Sequence, residues 1–498
     1  MKILIVYPDV IGKYEQPIGL LTLISVMKKG GHELCFYSFP ICSPDQHKYQ
    51  AEFKQIITKL GPQIVAFSMV THLHDNVGMY YKIIKKFSRA LILEGGIHAT
   101  MFPDEAISNP DVDIIAIGEC ETTINELLIR IQKGQQVGRL PGYWYKHMGQ
   151  VIKNPIGDLP DPLDELPFPD RSVLAEQVSN NHIDAFNLMS SRGCPFECSY
   201  CHNIYLKDYY KGKGKFVRFR SPENIISELK EIRRAYPSIK KIIFSDDNFA
   251  LNKKRLIELC KKYKQEIGFP FICHARVENI DDEVLCSLKE ANCVLLNLAI
   301  ETANDHLRHN ILNRKMTKEN IRRVFRKINE HGLRLGTFVM LGVPEETKKT
   351  IWETIKFLRE FKINYYQVFS FTPLKKTPIY EYCLNKGYKI NKISSRQEFN
   401  FSFPVVELDT ISKRALLGYL KTFHYYVKAS RVTFPLIHLL RMIWEKMPNT
   451  NKRMGKIIKW GEINIEQMVR ISIKKVEEPL FGPVIKYEKN IINQSAFL

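Results

Sequence analysis

The strongest constraint on the fold is an alternation of short apolar strands with amphipathic helical segments over residues 2–140. Strand patterns such as "KILIVYP", "IVAFSMV" and "ALILEGG" are separated by helical patterns such as "LLTLISVMKKGG" and "TTINELLIRIQKG". Alternation at this length predicts βαβ units in a doubly wound parallel sheet, which binds its ligands at the carboxyl ends of the strands. We therefore expect residues 1–140 to form a Rossmann-like domain.

The alternation returns with longer helices in residues 186–400. Six candidate strands, from "AFNLMSS" to "YYQVFSF", predict a partial (β/α)6 barrel. Residues 141–185 contain a hairpin pattern, "GYWYKHMGQVIKNP", and a proline-rich stretch, "DLPDPLDELPFPDRS", and are expected to form a linker. Strand patterns fade after residue 400, so residues 401–498 are expected to be a basic helical C-terminal domain. The predicted fold class is α/β throughout the first two domains.

Three of the chain's eleven cysteines fall within "GCPFECSYC", directly after the first strand of the second domain. Three soft sulfur ligands on one short loop suit a metal. A zinc site would need a fourth Cys or His ligand, and His202, directly after Cys201, is poorly placed to supply it. A [4Fe–4S] cluster takes four ligands, so three cysteines would leave one iron open. A chance grouping of structural cysteines is the remaining alternative.

Cys194, Cys198 and Cys201, with Tyr200 just before the last, resemble the motif of the radical S-adenosylmethionine (SAM) superfamily. The resemblance implies a [4Fe–4S] cluster whose open iron is chelated by the amino and carboxylate groups of SAM. Further SAM-binding positions are implied, one strand after another: Asp246 or Asp247 for the amino group, Arg276 for the carboxylate, Glu301 for the adenosyl group and Gly342 near the adenine. The simpler alternative for the two aspartates is that they cap the next helix.

The first domain has neither G-x-G-x-x-G after its first strand nor a P-loop, which argues against dinucleotide and nucleoside-triphosphate sites. Its segments "VAFSMVTH" and "EGGIHATMFPDEAISNPDVDIIAIGECETTINELL" resemble the cobalamin-binding domain of a large branch of radical SAM enzymes. The resemblance implies that five residues surround the nucleotide tail of cobalamin: Ser68, Gly95, Gly96, His98 and Glu119. Ser68 could instead be a turn residue, and His98 a surface histidine.

Two departures from cobalamin proteins accompany this resemblance. The D-x-H-x-x-G signature that supplies a histidine to cobalt is absent, as is common in this branch, so cobalt would have no lower histidine from the protein. Cys120 also stands where the family usually has glycine, and its side chain could crowd the cofactor.

Residues 1–400 together resemble the class B radical SAM methyltransferases. The resemblance implies methylation of an unactivated carbon of a small-molecule or lipid substrate, through a 5′-deoxyadenosyl radical and methylcobalamin. It also implies an electron donor such as flavodoxin or ferredoxin, and it assigns no catalytic acid or base. The main alternative is a cyclisation, a ring contraction or another carbon–carbon bond formation without methyl transfer. A non-enzymatic corrinoid-binding protein would have no need for the three cysteines.

The net charge of +20 is concentrated: residues 411–475 hold fourteen Lys or Arg and three acidic residues. A local basic segment argues against a nucleic-acid substrate. Radical SAM methylthiotransferases that act on tRNA also have three further cluster cysteines in their first domain, and Cys35, Cys42 and Cys120 do not fit that pattern. Residues 431–460 instead suit a basic amphipathic helix at a membrane surface, or a helix packed on the barrel.

The remaining cysteines form no disulfide framework, which favours a reducing cytoplasm. No run of about 20 apolar residues predicts a spanning helix. We therefore expect a cytoplasmic protein, in which residues 431–460 either contact a membrane surface or pack on the barrel.

Overall fold

The computed structural model describes residues 1–9, 16–41, 43, 45–180, 183–391 and 403–446. Within these residues the chain forms two α/β domains in succession, with two further helices packed on the second. The α/β fold class expected from the alternating pattern is confirmed.

The first domain is built on a seven-stranded sheet with the order β2-β1-β3-β4-β5-β6-β7. Its strands are β1 (Lys2–Asp9), β2 (Glu33–Pro40), β3 (Ile64–Ser68), β4 (Leu91–Gly95), β5 (Ile114–Ala116), β6 (Tyr143–His147) and β7 (Gln150–Lys153). The first five strands are parallel. Seven of the eight residues of β1 are buried, as expected for a parallel strand with helices on both faces.

Six helices cover the first sheet: α1 (Ile18–Lys29), α2 (Gln46–Leu60), α3 (Gly78–Phe87), α4 (Ile97–Met101), α5 (Pro103–Ser108) and α6 (Ile124–Gln132). A 3₁₀ helix at Thr71–Asn76 precedes α3. The hairpin that the sequence places in the linker is β6–β7, and it extends the first sheet because β6 pairs antiparallel with β5. The proline-rich stretch that follows contains a short 3₁₀ turn, Leu163–Glu165, and ends in a second 3₁₀ helix, Arg171–Leu174.

The second domain contains six parallel strands in the order β15-β14-β13-β12-β11-β8. They are β8 (Ala185–Leu188), β11 (Lys241–Phe244), β12 (Phe271–Ala275), β13 (Cys293–Glu301), β14 (Leu335–Leu341) and β15 (Tyr365–Ser370). Each strand lies beside its neighbour in the sequence, as in a partial barrel. A small antiparallel pair, β9 (Ser191–Arg192) and β10 (Arg218–Phe219), lies beside the cysteine loop.

Eight helices belong to this domain: α7 (Ala175–Ser179), α8 (His202–Tyr209), α9 (Pro222–Ala235), α10 (Lys253–Glu266), α11 (Asp282–Glu290), α12 (Lys318–Glu330), α13 (Lys348–Leu358) and α14 (Pro378–Asn385). The cap residues expected from local chemistry are present: the side chains of Ser221 and Thr317 accept hydrogen bonds from the first turns of α9 and α12.

The C-terminal part continues through a short antiparallel pair, β16 (Lys389–Ile390) and β17 (Val406–Glu407), to α15 (Lys413–Lys428) and α16 (Phe434–Lys446). These two helices pack on the barrel, where the indole of Trp352 on α13 donates a hydrogen bond to the hydroxyl of Tyr419 at 3.1 Å. The helical character expected here holds for the part that is described, and residues 447–498 lie outside it. In the described ranges no helix has the length and apolar character needed to cross a membrane.

Gln16 ties the two domains together. Its side-chain amide donates to the carbonyl of Ala185 at 2.8 Å and accepts from the backbone N–H of Asn187 at 2.9 Å. Both partners lie on β8, and Gln16 itself is buried. The strand ends of the first domain therefore approach the strand that leads into the cysteine loop.

Candidate active site

The cysteine loop connects β9 to α8 at the mouth of the partial barrel. Gly193 opens it with a φ of +84°, and an ideal Cβ there would lie 2.3 Å from the carbonyl oxygen of Phe216, so only glycine fits. Cys194 and Cys198 are buried, and Cys201 caps α8 by accepting a hydrogen bond from a backbone N–H of its first turn. The loop is thus fixed from both ends.

Burial raises the pKa of Cys194 to about 11 and that of Cys201 to about 12. The thiols are therefore protonated at neutral pH until a metal displaces the protons. The guanidinium of Arg276 lies 3.1 Å from the sulfur of Cys198 and 2.7 Å from the carboxylate of Glu278. Three sulfur donors beside a fixed cation fit an anionic iron–sulfur cluster, and Arg276 contacts the cluster loop itself.

The two aspartates after β11 differ in their surroundings. Asp246 is fully buried, and its Oδ1 atom accepts hydrogen bonds from the backbone and side chain of Ser190 and from the hydroxyl of Ser191. Asp247 is half-buried, accepts from the amide of Asn203 at 2.9 Å, and lines a cavity. Burial raises the pKa of both carboxyls. Of the two candidates for the SAM amino group, Asp247 is the accessible one.

Glu301 lies at the end of β13 with a φ of +63°. Its carboxylate accepts a hydrogen bond from the hydroxyl of Tyr200 at 2.8 Å and lies 3.4 Å from the guanidinium of Arg314. Arg314 also donates to the Tyr200 hydroxyl at 2.8 Å. Tyr200, between the second and third cysteines, is thereby anchored to the fourth strand of the barrel. Contact of Glu301 with an adenosyl group stays a prediction.

Gly342, after β14, has a φ of +89°, and an ideal Cβ there would lie 2.6 Å from the side chain of Leu416 on α15. The need for glycine is explained by this helix, which covers the strand end. The approach of an adenine to Gly342 stays a prediction.

A cavity of about 510 Å³ lies between the two domains. Its lining is mostly apolar and includes four of the predicted cobalamin positions, Ser68, Gly95, Gly96 and Glu119, and three residues around the cluster loop, Gly193, Asn203 and Asp247. It therefore runs from the strand ends of the first domain to the cysteine loop of the second. None of the described residues that line it is a histidine.

One rim of the cavity carries an interdomain ion cluster of Glu119, Glu121, Arg192 and Arg218. Arg192 pairs with Glu119 at 2.5 Å and with Glu121 at 2.8 Å, and Arg218 pairs with Glu119 at 2.5 Å. Burial alone would raise the pKa of Glu119, but the two arginines outweigh it and hold that pKa below its ordinary value. Glu119, expected beside cobalamin, thus also joins the domains through two arginines that the sequence pattern did not predict.

Cys120 borders the cavity but does not fill it. Its side chain is buried, and its sulfur faces the carbonyl oxygens of Ile117 and Gly118, each at 3.7 Å. Cys120 is one of the residues that line the cavity, and crowding of the cofactor by its side chain stays a prediction.

His98 lies on α4, close in sequence to Gly95 and Gly96, but it is not among the described residues that line the cavity. Its ring stacks on His74 with centroids 3.9 Å apart, and burial is the main reason that its pKa falls to about 3. The structure does not bring His98 to the other predicted cobalamin positions.

Comparison with known proteins assigns the two α/β domains to two different families. Residues 5–128 match the B12 binding domain family, and residues 188–358 match the Radical SAM superfamily. An uncharacterised methyltransferase of Pyrococcus horikoshii is 30% identical over 396 residues, which cover 77% of this chain and 83% of the relative. The chain belongs to the cobalamin-binding radical SAM family.

The cobalamin-binding radical SAM enzyme is also similar to the anaerobic magnesium-protoporphyrin IX monomethyl ester cyclase of Rubrivivax gelatinosus, at 23% identity over 84% of this chain and 75% of the relative. Its fold matches that of the radical SAM methyltransferase TsrM from Kitasatospora setae, solved with cobalamin and a [4Fe-4S] cluster, with a TM-score of 0.64, 15% identity, and coverage of 79% of this chain and 76% of TsrM.

The cofactors of this enzyme are therefore a [4Fe–4S] cluster, SAM and cobalamin. The residues fit them: one loop carries three free cysteines that can ligate a cluster, and an apolar cavity with small residues at the strand ends suits a large flat cofactor. The contacts of individual residues with SAM and cobalamin stay predictions.

Proposed function

We propose that the enzyme transfers a methyl group to a carbon atom of a small-molecule substrate. The observation that carries the proposal is the single cavity that extends from Ser68 and Gly95 to the cluster loop at Gly193. A methyl donor held by the first domain and a radical formed at the second would then reach one substrate. Similarity to the methyltransferase of Pyrococcus horikoshii supports the same conclusion.

When bound, the cluster and SAM supply a radical that abstracts hydrogen, and cobalamin supplies the methyl group. The chain's own residues hold and shield these groups. Cys194, Cys198 and Cys201 would ligate the cluster, and Asp247 would accept hydrogen bonds from the ammonium group of SAM. The Arg276 guanidinium, already 3.1 Å from the Cys198 sulfur, would stabilise the charge of the ligated thiolate. The apolar lining excludes water, which would otherwise compete for a reactive radical.

The proposal is tested with SAM that carries a deuterated methyl group. The reconstituted enzyme is incubated anaerobically with a reductant and candidate substrates, and products are analysed by mass spectrometry. We expect a product in which a CD3 group has replaced one hydrogen of the substrate, together with 5′-deoxyadenosine, which carries the abstracted hydrogen. Cys201→Ala should abolish both, whereas Cys286→Ala, which removes an exposed cysteine outside the loop, should abolish neither. Formation of 5′-deoxyadenosine with an unlabelled product would contradict methyl transfer.

A second candidate is ring formation or another carbon–carbon bond formation without methyl transfer. It is favoured by the similarity to the cyclase of Rubrivivax gelatinosus over 84% of this chain. The same experiment separates the two functions, because a cyclised product loses hydrogen and gains no label. Methyl transfer remains our main proposal because the more similar relative is a methyltransferase.

We propose further that the substrate is lipid-like and is reached at a membrane surface. Three apolar side chains on and just before α16 are exposed, Val432 by 87%, Leu439 by 44% and Met442 by 42%. They lie in the most basic part of the chain, as in helices that bind anionic headgroups. Residues 447–460 of the predicted membrane segment lie outside the described residues.

Co-sedimentation with vesicles of anionic phospholipid tests this contact. Replacing Val432, Leu439 and Met442 by aspartate should abolish sedimentation. The matched control is Met148→Asp, at an exposed hairpin residue of the first domain, which should leave it unchanged. Equal sedimentation of both variants, or none with the unaltered enzyme, would reject the membrane proposal.

For the electron donor we propose a flavodoxin or a ferredoxin. The cluster must receive an electron before SAM is cleaved, and Cys201 of the cysteine loop is partly exposed. Reduced flavodoxin should support SAM cleavage at a rate that saturates with its concentration. Cleavage supported only by a chemical reductant would argue against this class of partner.

A further inference from the structure

A second group of ligating side chains lies in the first domain, outside the lining of the cavity. His74 belongs to the 3₁₀ helix Thr71–Asn76, His98 to α4 and Glu105 to α5. One nitrogen of each imidazole and one carboxylate oxygen of Glu105 all lie within 4.8 Å of one another. Two imidazoles and a carboxylate are donors that transition metals bind well.

The two imidazoles lack the hydrogen bonds that buried imidazoles usually make. His98 is only 1% exposed and His74 is largely buried. None of their four ring nitrogens has a hydrogen-bond partner among the described residues. A buried polar atom without a partner destabilises the folded state. Histidines that serve only as packing would be expected to satisfy at least one nitrogen each.

A buried carboxylate lies behind this pair. Glu94, at the end of β4, is fully buried, and one of its oxygens lies 3.6 Å from Nε2 of His74. Its other oxygen accepts a hydrogen bond from the hydroxyl of Tyr81 at 2.8 Å. A carboxylate behind a histidine is a recurrent arrangement at metal sites, because it orients the ring and makes its other nitrogen a better ligand.

The local charge also favours a dication. Glu94 and Glu105 are two carboxylates that a doubly charged ion would neutralise, and Asp75 adds a third acidic group nearby. The positive charge of Lys375, in the second domain, also acts on His98 and opposes the binding of a cation there. The exposed carboxylate of Glu105 remains as an anionic ligand for a positive ion.

We propose that His74, His98 and Glu105 bind one zinc ion, which joins the 3₁₀ helix to α4 and α5. Zinc is the best match because it accepts mixed nitrogen and oxygen donors in a tetrahedral set, with water as the fourth ligand. Tetrahedral zinc holds its donor atoms about 3.4 Å apart, so ligand atoms that now lie up to 4.8 Å apart would move closer by up to about 1.4 Å.

The role of this zinc site would be structural. The 3₁₀ helix directly follows Met69 and Val70, and α4 begins after Gly96, and all three of these residues line the cavity. A zinc ion would therefore fix two loops that shape the cobalamin end of the cavity. The proposal does not depend on methyl transfer, because it rests only on the first domain.

The test uses the reconstituted full-length enzyme, whose loop cysteines are occupied by the cluster and cannot take up zinc. Zinc chloride is added, unbound metal is removed, and zinc and iron are quantified on the same sample. We expect about one zinc per chain with unchanged iron. X-ray absorption at the zinc edge should show nitrogen and oxygen ligands, including imidazole, and no sulfur.

Two variants and one control complete the design. His98→Ala and Glu105→Gln should each weaken zinc affinity at least about tenfold, in line with the loss of one ligand. Glu105 is exposed, so its substitution leaves the fold intact even if His98→Ala does not fold. His147→Ala, on the hairpin of the same domain, should bind zinc normally. Zinc should also raise the melting temperature of the unaltered enzyme and not that of Glu105→Gln.

Three results would overturn the proposal: no zinc retained at micromolar free zinc, zinc bound through sulfur, or full zinc affinity in both His98→Ala and Glu105→Gln. If His98→Ala instead loses cobalamin while the unaltered enzyme takes up no zinc, His98 is a cobalamin-binding residue and the zinc site does not exist.

Discussion

The interdomain ion cluster predicts a specific cost for removing Arg192. Arg192→Met leaves Glu119 paired with Arg218, but it removes the partner described for Glu121, whose side chain is only 4% exposed. Breaking a buried ion pair by deleting one partner costs about 3–5 kcal/mol, since a buried charge is left uncompensated. We expect the free energy of unfolding to fall by about 3 kcal/mol, because Glu119 keeps its second arginine.

Urea unfolding of the apoprotein, followed by tryptophan fluorescence and circular dichroism, measures this loss. The double variant Arg192→Met, Glu121→Gln removes both charges and should recover more than about 1 kcal/mol of it. The surface control is Lys207→Met, which breaks an exposed pair with Glu197 and should cost less than about 1 kcal/mol. A loss from Arg192→Met as small as that of the control, or no recovery in the double variant, would refute the reasoning.

Loss of the interdomain ion cluster should also affect catalysis. Because Arg192 precedes the cysteine loop and its partners belong to the first domain, its loss should loosen the alignment of the two cofactor sites. We expect Arg192→Met to retain iron and to cleave SAM, but to form fewer methylated products per 5′-deoxyadenosine.

Three further predictions concern single residues. Cys201→Ala should lower iron from about four atoms per chain to less than one after reconstitution, measured by elemental analysis, whereas Cys286→Ala should keep all of it. Gly342→Ala should destabilise the fold by about 2–3 kcal/mol, more than Gly212→Ala, because both have positive φ but only Gly342 faces a close side chain; equal losses in urea unfolding would contradict this. Burial raises the pKa of Glu346 to about 8, so between about pH 4 and pH 8 the unfolded state releases a proton that the folded state keeps. The contribution of Glu346 to the free energy of unfolding therefore falls as pH rises through this range. The stability difference between Glu346→Gln and the unaltered protein should therefore grow in favour of the variant by about 2–3 kcal/mol from pH 6 to pH 8, and a constant difference would refute the buried neutral acid.

The sequence was sufficient for the fold because each strand and helix carries its own local pattern. The strand β1 is a continuous apolar run and α12 is amphipathic, so both could be placed without knowledge of their neighbours. The cysteine loop was equally accessible, because its three ligands lie within eight positions. Local pattern also predicted the hairpin, but not that it would pair with β5.

The features that escaped prediction all depend on distant residues. Glu119 and Arg218 are 99 positions apart in the sequence, and no local pattern around either residue indicates that they form an ion pair. Asp246 and Asp247 look equivalent in the sequence, yet the alternation of side chains past the strand end buries one and exposes the other to the cavity. The stacking of His74 on His98 likewise requires the packing of two helices that the sequence describes only separately.

The central claim is that one chain holds both an iron–sulfur cluster and cobalamin around a shared cavity. Its most direct test is anaerobic reconstitution with iron, sulfide and hydroxocobalamin, followed by removal of unbound material and measurement of iron and corrin on the same sample. We expect about four irons and about one corrin per chain. Four irons without corrin would contradict the claim, because the first domain would then not bind cobalamin and the enzyme could not transfer a methyl group through it.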